Sequence, residues 1–258
     1  MRLFENLLLS ELFALVLVFA RMGSALMVLP LFGEQSIPTR ARLLFAVAVT
    51  MTITPFLTPS LPTLPPTVSG LAILLIGEIL IGILLALLVR ILFTALEVAG
   101  SAIVFQMGLS SATIFNPMIS EQTSAIASLL GLIALVIMMQ TDMHHVLLRG
   151  IVDSYGLFLP GQGIVMGDAS ESIVRAVSQA FRVGIQMTGP FFVVMMMINV
   201  ALGLLARLMP QLQVFFLAQP VQIIVGFILL LATLTSIMYL FVDTIGGAIQ
   251  GLLTPGVP

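Results

Sequence analysis

Residues 69–96 read SGLAILLIGEILIGILLALLVRILFTAL, an apolar stretch with two charged side chains, Glu78 and Arg90. A helix of about 20 residues is enough to cross the hydrocarbon core of a bilayer, and this stretch is longer. An apolar run of this length predicts a membrane-spanning helix rather than a helix of a soluble core.

Five further apolar stretches lie on either side, at about 6–31, 41–58, 122–148, 171–207 and 214–253. Of the 258 residues, 60% are hydrophobic and 8% are charged, whereas an average soluble domain is roughly half apolar and about a quarter charged. We therefore predict an all-α, polytopic membrane protein. The first stretch is longer than the apolar part of a signal peptide and contains Glu11 and Arg21, so we expect it to stay in the mature protein.

Proline and glycine interrupt two of these stretches. Because proline is not expected in a helix interior, we predict that residues 54–66 form an exposed, extended connector. In the fifth stretch, polar residues recur at helical spacing only at the start, which makes that part amphipathic. Gly189 and Pro190 then interrupt the pattern, so we predict two stacked helical pieces rather than one helix.

Residues 98–124 are a poor membrane helix, because glycine, serine, asparagine and proline are interleaved with large apolar side chains. Irregular backbone at membrane depth is tolerated only where protein buries it or where it lines a water-filled cavity. The segment is therefore a candidate pore element, and a surface loop is the alternative.

Charge and cysteine content exclude several functions. All nine basic residues are arginine, eleven residues are acidic, and the formal net charge is -2, so no basic surface is present to bind nucleic acid. The absence of cysteine excludes disulfides and thiol nucleophiles, although it leaves the compartment undetermined. By the positive-inside rule, Arg40, Arg42 and Arg207 place the N-terminus outside, but Arg149, Arg175 and Arg182 conflict with that topology.

Ionisable residues inside the apolar stretches need a partner, a cavity or an interface, because a charge that faces lipid is costly. They are Glu11, Arg21, Glu78, Arg90, Glu97 and Asp243. Pairing between helices, or snorkelling near a helix end, is one interpretation and an ion or substrate path is the other; for Arg90 and Glu97, near a predicted helix end, we favour the first. Gly77 and Gly82 flank Glu78 and allow close approach of another helix, so we predict a buried polar contact with a neighbouring chain.

Catalytic and metal-binding patterns are missing from the sequence. The only histidines are His144 and His145, near Asp142, and neighbouring histidines on a helix point about 100° apart, so they do not complete a zinc site. Zincin, nucleophile-elbow and P-loop motifs are absent as well. We therefore predict no enzyme, no cofactor and no metal; an intramembrane enzyme that uses these three residues is the alternative.

Short motifs occur in a recognisable order along the chain. They are RMG at 21–23, PLFG at 30–33, IPTRAR at 37–42, GE at 77–78 with Gly82, AG at 99–100, QMGL at 106–109, NP at 116–117, GLLAR at 203–207 and PQLQVF at 210–215. In this order the sequence resembles the FliR family of flagellar type III export-gate proteins, which is related to the SctT proteins of injectisomes. The chain departs from the family at Asn116, Gln213 and Ala218-Gln219, where the family often has Asp, Asn and Gly-Phe.

The resemblance implies an architecture and a set of partners. One copy of this chain would join five FliP-like and four FliQ-like subunits in a helical, pseudo-symmetric gate of tilted hairpins, lifted partly out of the bilayer. Within a single domain 1–258, residues 1–205 would be FliP-like and 206–258 FliQ-like. The gate would lie in the bacterial inner membrane at the flagellar basal body, with FlhB-like and FlhA-like partners, and would pass unfolded flagellar subunits outward.

The resemblance also implies site residues. A plug loop at 105–122 would help to close the pore, with apolar contacts that seal it and glycines that keep it deformable. Its residues are Phe105, Gln106, Met107, Gly108, Leu109, Ser110, Ser111, Phe115, Asn116 and Pro117. Subunit contacts or buried polar contacts are predicted at Arg40, Arg42, Glu78, Gly82, Arg207, Pro210 and Gln211. A stand-alone transporter of a small solute is the alternative function, and it predicts internal repeats that we do not find.

Overall fold

The computed structural model describes residues 2–34, 37–109, 125–161, 166–209 and 214–253, and side-chain burial is not described for 2–8, 166, 214–217 and 250–253. Within these ranges the regular structure is helical and no strand occurs. The helices are α1 (Arg2–Val28), α2 (Thr39–Leu57), a 3-10 turn (Thr58–Ser60), α3 (Val68–Gln106), α4 (Ala125–Gln140), α5 (Met143–Leu157), α6 (Met166–Leu208) and α7 (Val214–Leu253). The prediction of an all-α protein is confirmed.

Five of the described helices are long and apolar enough to cross a membrane. The candidate spans are Leu9–Val28, Thr39–Ser60, Val68–Gln106, Gly167–Leu208 and Ala218–Ile249, and α4 with α5 would give a sixth if the bent pair is one span. Each of the six predicted apolar stretches therefore contains at least one helix, as expected for a membrane protein.

The chain divides into two compact units. Unit 1 comprises Met1–Leu92, Met139–Val177 and Gly246–Pro258. Its interior is formed by apolar side chains of α1, α3 and α5, among them Leu17, Met22 and Ile151. α1 also packs against α2, and Phe32 stacks on Phe45 with the ring centroids 5.1 Å apart.

Unit 2 comprises Phe93–Met138 and Ser178–Ile245. Small residues allow its helices to approach closely: a Cβ added at Gly184 would lie 3.0 Å from the backbone oxygen of Ala95. An edge-to-face contact at 5.0 Å joins Phe93 of α3 to Phe241 of α7. Close backbone approach and aromatic packing therefore both contribute to the contacts of this unit.

The prediction of two helical pieces around Gly189 and Pro190 is wrong, because α6 runs without a break from Met166 to Leu208. Proline costs a helix interior about 3 kcal/mol, mainly through a lost hydrogen bond. Met187 and Phe191, on either side of the proline, are fully buried, and burial of two such side chains contributes roughly 1.5–3 kcal/mol each. Tertiary packing thus offsets the cost of the proline.

Two helix ends also lie later than predicted. Pro55 is inside the last turn of α2, and the connector starts at the 3-10 turn Thr58–Ser60 instead of at residue 54. α3 continues to Gln106, so residues 98–106 are helical and not irregular. Arg90 and Glu97 consequently lie inside α3 and not near its end.

Candidate functional site

A buried ion pair joins α1 to α3 inside unit 1. Arg21 is 0% exposed and Glu78 is 1% exposed. Arg21 Nε donates to Glu78 Oε2 at 2.6 Å, and Nη2 donates to Oε1 at 3.0 Å. This is a bidentate pair, the strongest arrangement available to a guanidinium and a carboxylate. Glu78 thus has a partner within its own chain, and its predicted contact with a neighbouring chain stays a prediction.

α5 completes the surroundings of the Arg21 guanidinium. Nη1 donates to Ser154 Oγ at 3.1 Å, and Nη2 also donates to the backbone oxygen of Phe158 at 2.8 Å. The ring of Tyr155 lies under the guanidinium, with Cζ 3.9 Å from the ring centroid, a cation–π contact. Four of the five N–H groups of the guanidinium are therefore satisfied, and one arginine connects three helices.

Gly82 explains how α3 comes so near to α1. It lies four residues after Glu78 and therefore on the same face of α3. A Cβ at this position would overlap Ser24 Oγ and the backbone oxygen of Arg21. No other residue fits without displacement of α1, so the predicted site residues Glu78 and Gly82 act on the same contact, which is a contact with α1.

The other predicted contact residues are dispersed. Arg42 donates to the backbone oxygens of Ile37 and Gly33, at 3.2 and 3.4 Å, and so holds the turn before α2. Arg40 and Arg207 are exposed, and Arg207 lies in the last turn of α6, where a cation stabilises the helix dipole. Pro210 and Gln211 lie outside the described residues.

In unit 2, α3 ends in a Schellman motif at the start of the predicted plug. Leu109 N donates to Val104 O at 3.2 Å, and Gly108 N donates to Phe105 O at 3.1 Å. Gly108 has φ +73, the left-handed conformation that this motif requires and that glycine adopts without strain. The left-handed Gly108 thus ends α3 just before residue 110.

The same turn is fixed to α7. Gln219 Nε2 donates to the backbone oxygen of Gly108 at 2.8 Å. Met107 is fully buried against Gly226, where an added Cβ would overlap the methionine side chain. One polar and one apolar contact therefore hold the end of α3 against α7.

A groove of about 520 Å³ lies beside this turn, lined by Gln106, Asn199 and apolar residues of α6. Asn199 Oδ1 accepts from Gln222 Nε2 at 2.8 Å, and Gln222 Oε1 lies 3.4 Å from where a Cβ of Gly108 would be. Amide side chains therefore cluster around Gly108 among apolar helices. Sequence reasoning missed Asn199, Gln219 and Gln222; their polarity within apolar stretches was the available signal.

Of the predicted plug residues, Phe105 is 71% exposed, Met107 is buried, and Gln106, Gly108 and Leu109 are partly exposed. Ser110, Ser111, Phe115, Asn116 and Pro117 lie outside the described residues. The structure thus describes the helix end from which the predicted loop departs.

These features define the class of protein: an all-helical, membrane-type chain with several candidate spans, a buried charged contact in one unit and a cluster of amides in the other. Residues 12–248 match the family described as bacterial export proteins, family 1. The chain is 35% identical to the flagellar biosynthetic protein FliR of Caulobacter vibrioides over 233 residues, 90% of this chain and 93% of that one.

Two further relatives give the same result. Identity is 32% to FliR of Escherichia coli, covering 87% of this chain and 85% of that one. It is 31% to FliR of Bacillus subtilis, covering 87% of each chain. The chain belongs to the FliR family.

Proposed function

We propose that this chain is a structural subunit of the flagellar type III secretion export gate. In this role it forms part of the protein-conducting pore and contributes a plug loop that helps to close it. The observation that carries the proposal is the end of α3, where a Gly108 turn fixed to α7 leads into the segment with plug-like composition. FliR relatives support the setting in flagellar biosynthesis and export.

The exposed apolar face of α6 supports an assembly rather than a solitary chain. Large apolar side chains are exposed on α6 from Val174 to Leu208. This part of the helix is about 51 Å long at roughly 1.5 Å per residue. The hydrocarbon core is only about 30 Å thick, and a helix of this length would need a tilt of roughly 54° to fit, beyond the usual 0–40°. Part of this face therefore needs a protein partner.

The partners proposed are five FliP-like and four FliQ-like subunits around one copy of this chain, with FlhB-like and FlhA-like proteins, in the inner membrane at the flagellar basal body. In this arrangement the first 205 residues take the FliP-like position and residues 206–258 the FliQ-like position. Unfolded flagellar subunits are the substrate. Such an assembly would cover apolar surface that lipid does not reach.

The composition of residues 105–117 suits a reversible seal. In this proposal Phe105, Leu109 and Phe115 exclude water and ions, while Met107 and Gly108 hold the start of the segment against α7.

Deletion of residues 108–116 tests the plug. The variant is co-expressed with the FliP-like and FliQ-like subunits, and conductance is measured after recovery of the complex has been shown to match the wild type. We expect a higher ion leak with the deletion. A recovered complex with unchanged conductance would contradict a plug role for this segment.

A stand-alone transporter of a small solute is the second candidate, favoured by the charges inside the candidate spans. Native mass spectrometry of the gently extracted protein separates the two functions. A heteromeric complex with one copy of this chain supports the gate, whereas a monomer or homo-oligomer that moves a small solute in liposomes supports the transporter.

A further inference from the structure

Three potential metal ligands come together at the turn between α4 and α5, in unit 1. One ligand atom each of Asp142, His144 and His145 lies within 4.8 Å of the others. Adjacent histidines on a helix point about 100° apart, yet the ring centroids of His144 and His145 are only 4.0 Å apart. We propose that these three side chains bind one divalent transition-metal ion of the zinc class.

The separation of two of the ligands agrees with this use. His145 Nδ1 and Asp142 Oδ1 are 3.4 Å apart, which is long for a hydrogen bond. Two ligands at roughly 2.0–2.2 Å from a tetrahedral zinc ion are separated by about 3.3–3.6 Å. Two imidazoles and one carboxylate are also a donor set that zinc prefers, with water in the fourth position.

The backbone and side chain of Asp142 give a second, independent observation. Asp142 precedes α5 as its N-cap residue, yet its carboxylate caps no backbone N–H, which is the usual reason for aspartate at this position. The residue also adopts φ 56, a left-handed conformation that aspartate adopts more readily than most residues other than glycine. The carboxylate oxygen Oδ1 instead lies 3.4 Å from His145 Nδ1.

His144 gives a third observation. Its Nδ1 is buried and has no hydrogen-bond partner among the described residues, and an unpaired buried nitrogen is costly unless it serves a ligand. Asp142 and His145 are 78% and 70% exposed, so an ion can reach the cluster from solution. The cluster is thus accessible from solution and contains one ring nitrogen without a hydrogen-bond partner among the described residues.

Cobalt binding to the full-length chain tests the site. The protein is purified in detergent with a tag free of histidine, stripped with chelator, and titrated with Co²⁺, whose tetrahedral complexes absorb strongly in the visible range. We expect one Co²⁺ per chain, displaced by Zn²⁺. Absence of the visible band, together with no zinc binding in competition with a chromophoric chelator, would overturn the proposal.

Substitutions distinguish the site from adventitious binding. We expect His144→Asn, His145→Asn and Asp142→Asn each to weaken binding at least tenfold, and Asp142→Asn is the safest for folding because asparagine accepts left-handed backbone. Asp153→Asn is the matched control, since Asp153 is an exposed carboxylate of α5 that pairs with Arg149. Equal affinity in the double histidine variant and in the wild type would refute the site.

Discussion

At the scale of single residues, Arg21 is a charged side chain that is fully buried in unit 1. A buried ion pair loses much of its hydration energy and is stable only when additional hydrogen bonds satisfy both groups. The guanidinium of Arg21 donates hydrogen bonds to the carboxylate of Glu78, to Ser154 Oγ and to the carbonyl oxygen of Phe158. The pair therefore contributes more to the specificity of helix packing than to the free energy of unfolding, because it specifies which faces of α1, α3 and α5 meet.

Glu78→Ala is expected to destabilise the chain by about 3–5 kcal/mol, because it leaves the Arg21 charge buried without its partner. Denaturation of the purified protein in detergent micelles, followed by circular dichroism, measures the change. Glu171→Ala is the control: Glu171 forms an exposed pair with Arg175, and we expect less than about 0.5 kcal/mol there.

The double variant Arg21→Met with Glu78→Met adds a second measurement. Removal of both charges eliminates the unpaired group, so we expect the double variant to be more stable than Glu78→Ala. If Glu78→Ala were as harmless as Glu171→Ala, the ion pair would have no role in holding the three helices.

Gly108→Val is expected to destabilise the end of α3 by about 1–2 kcal/mol, because a β-branched residue resists the left-handed conformation. Gly108→Asn should cost less, since asparagine tolerates that conformation. Ion leak and thermal stability of the recovered complex measure the effect. Gly131→Ala is the control: nothing lies within 4 Å of its added Cβ, so it should stabilise α4 slightly. Equal results for valine and asparagine would argue against backbone strain.

At the scale of elements, apolar periodicity predicted where helices exist but not where they end. The stretches at 69–96 and 171–207 correspond to α3 and α6, yet α3 continues to Gln106 and α6 passes through Pro190. Both differences have one cause. Burial of neighbours such as Phe191 and Met107 outweighs the local cost of a glycine or a proline inside a helix.

The contacts of the candidate site were less accessible to sequence reasoning than the helices. Arg21 and Glu78 were both recognised as charges within apolar stretches, but 57 positions separate them and Ser154 lies 133 positions from Arg21. No periodicity links residues on different helices, so the pairing required coordinates. Gly108, in contrast, was predicted as part of an irregular segment, and its local turn is a property of the nearby sequence.

Gly184→Ala is expected to destabilise unit 2 by about 1–3 kcal/mol, because the new methyl group overpacks the contact of α6 with α3. The added Cβ would lie 3.0 Å from both Ala95 O and a methyl carbon of Val98. Gly203→Ala on the same helix is the control, since nothing lies within 4 Å of its Cβ. Denaturation of both variants measures the difference, and equal stability would show that the contact can relax.

At the scale of the whole molecule, most candidate spans bury little of their surface inside the chain. Half of the apolar window in α1 is buried, compared with 17% in α2, 11% in α6 and 22% in α7. A chain that fills its own core would bury a larger share of its longest apolar helices. Such helices are complete only when lipid or other subunits cover them, as the proposed gate requires.

Val174→Asp and Leu208→Asp, made separately, test whether protein covers α6. Val174 is 66% exposed and Leu208 is 76% exposed, and the two lie about 51 Å apart along the helix at roughly 1.5 Å per residue. A hydrocarbon core of about 30 Å does not contain both at ordinary tilts. If lipid and water alone surrounded α6, at least one aspartate would lie in water and be tolerated.

If partner subunits cover both ends, each aspartate is buried in an interface without a partner, and unpaired buried charge is strongly unfavourable. We therefore expect both variants to lower the recovery of the heteromeric complex at least tenfold, measured by co-purification with tagged FliP-like subunit. Arg175→Gln, a change at an exposed polar position of the same helix, is the control. Full recovery with either aspartate would mean that no subunit seals that end of α6, and the proposed stoichiometry would need a different arrangement around this helix.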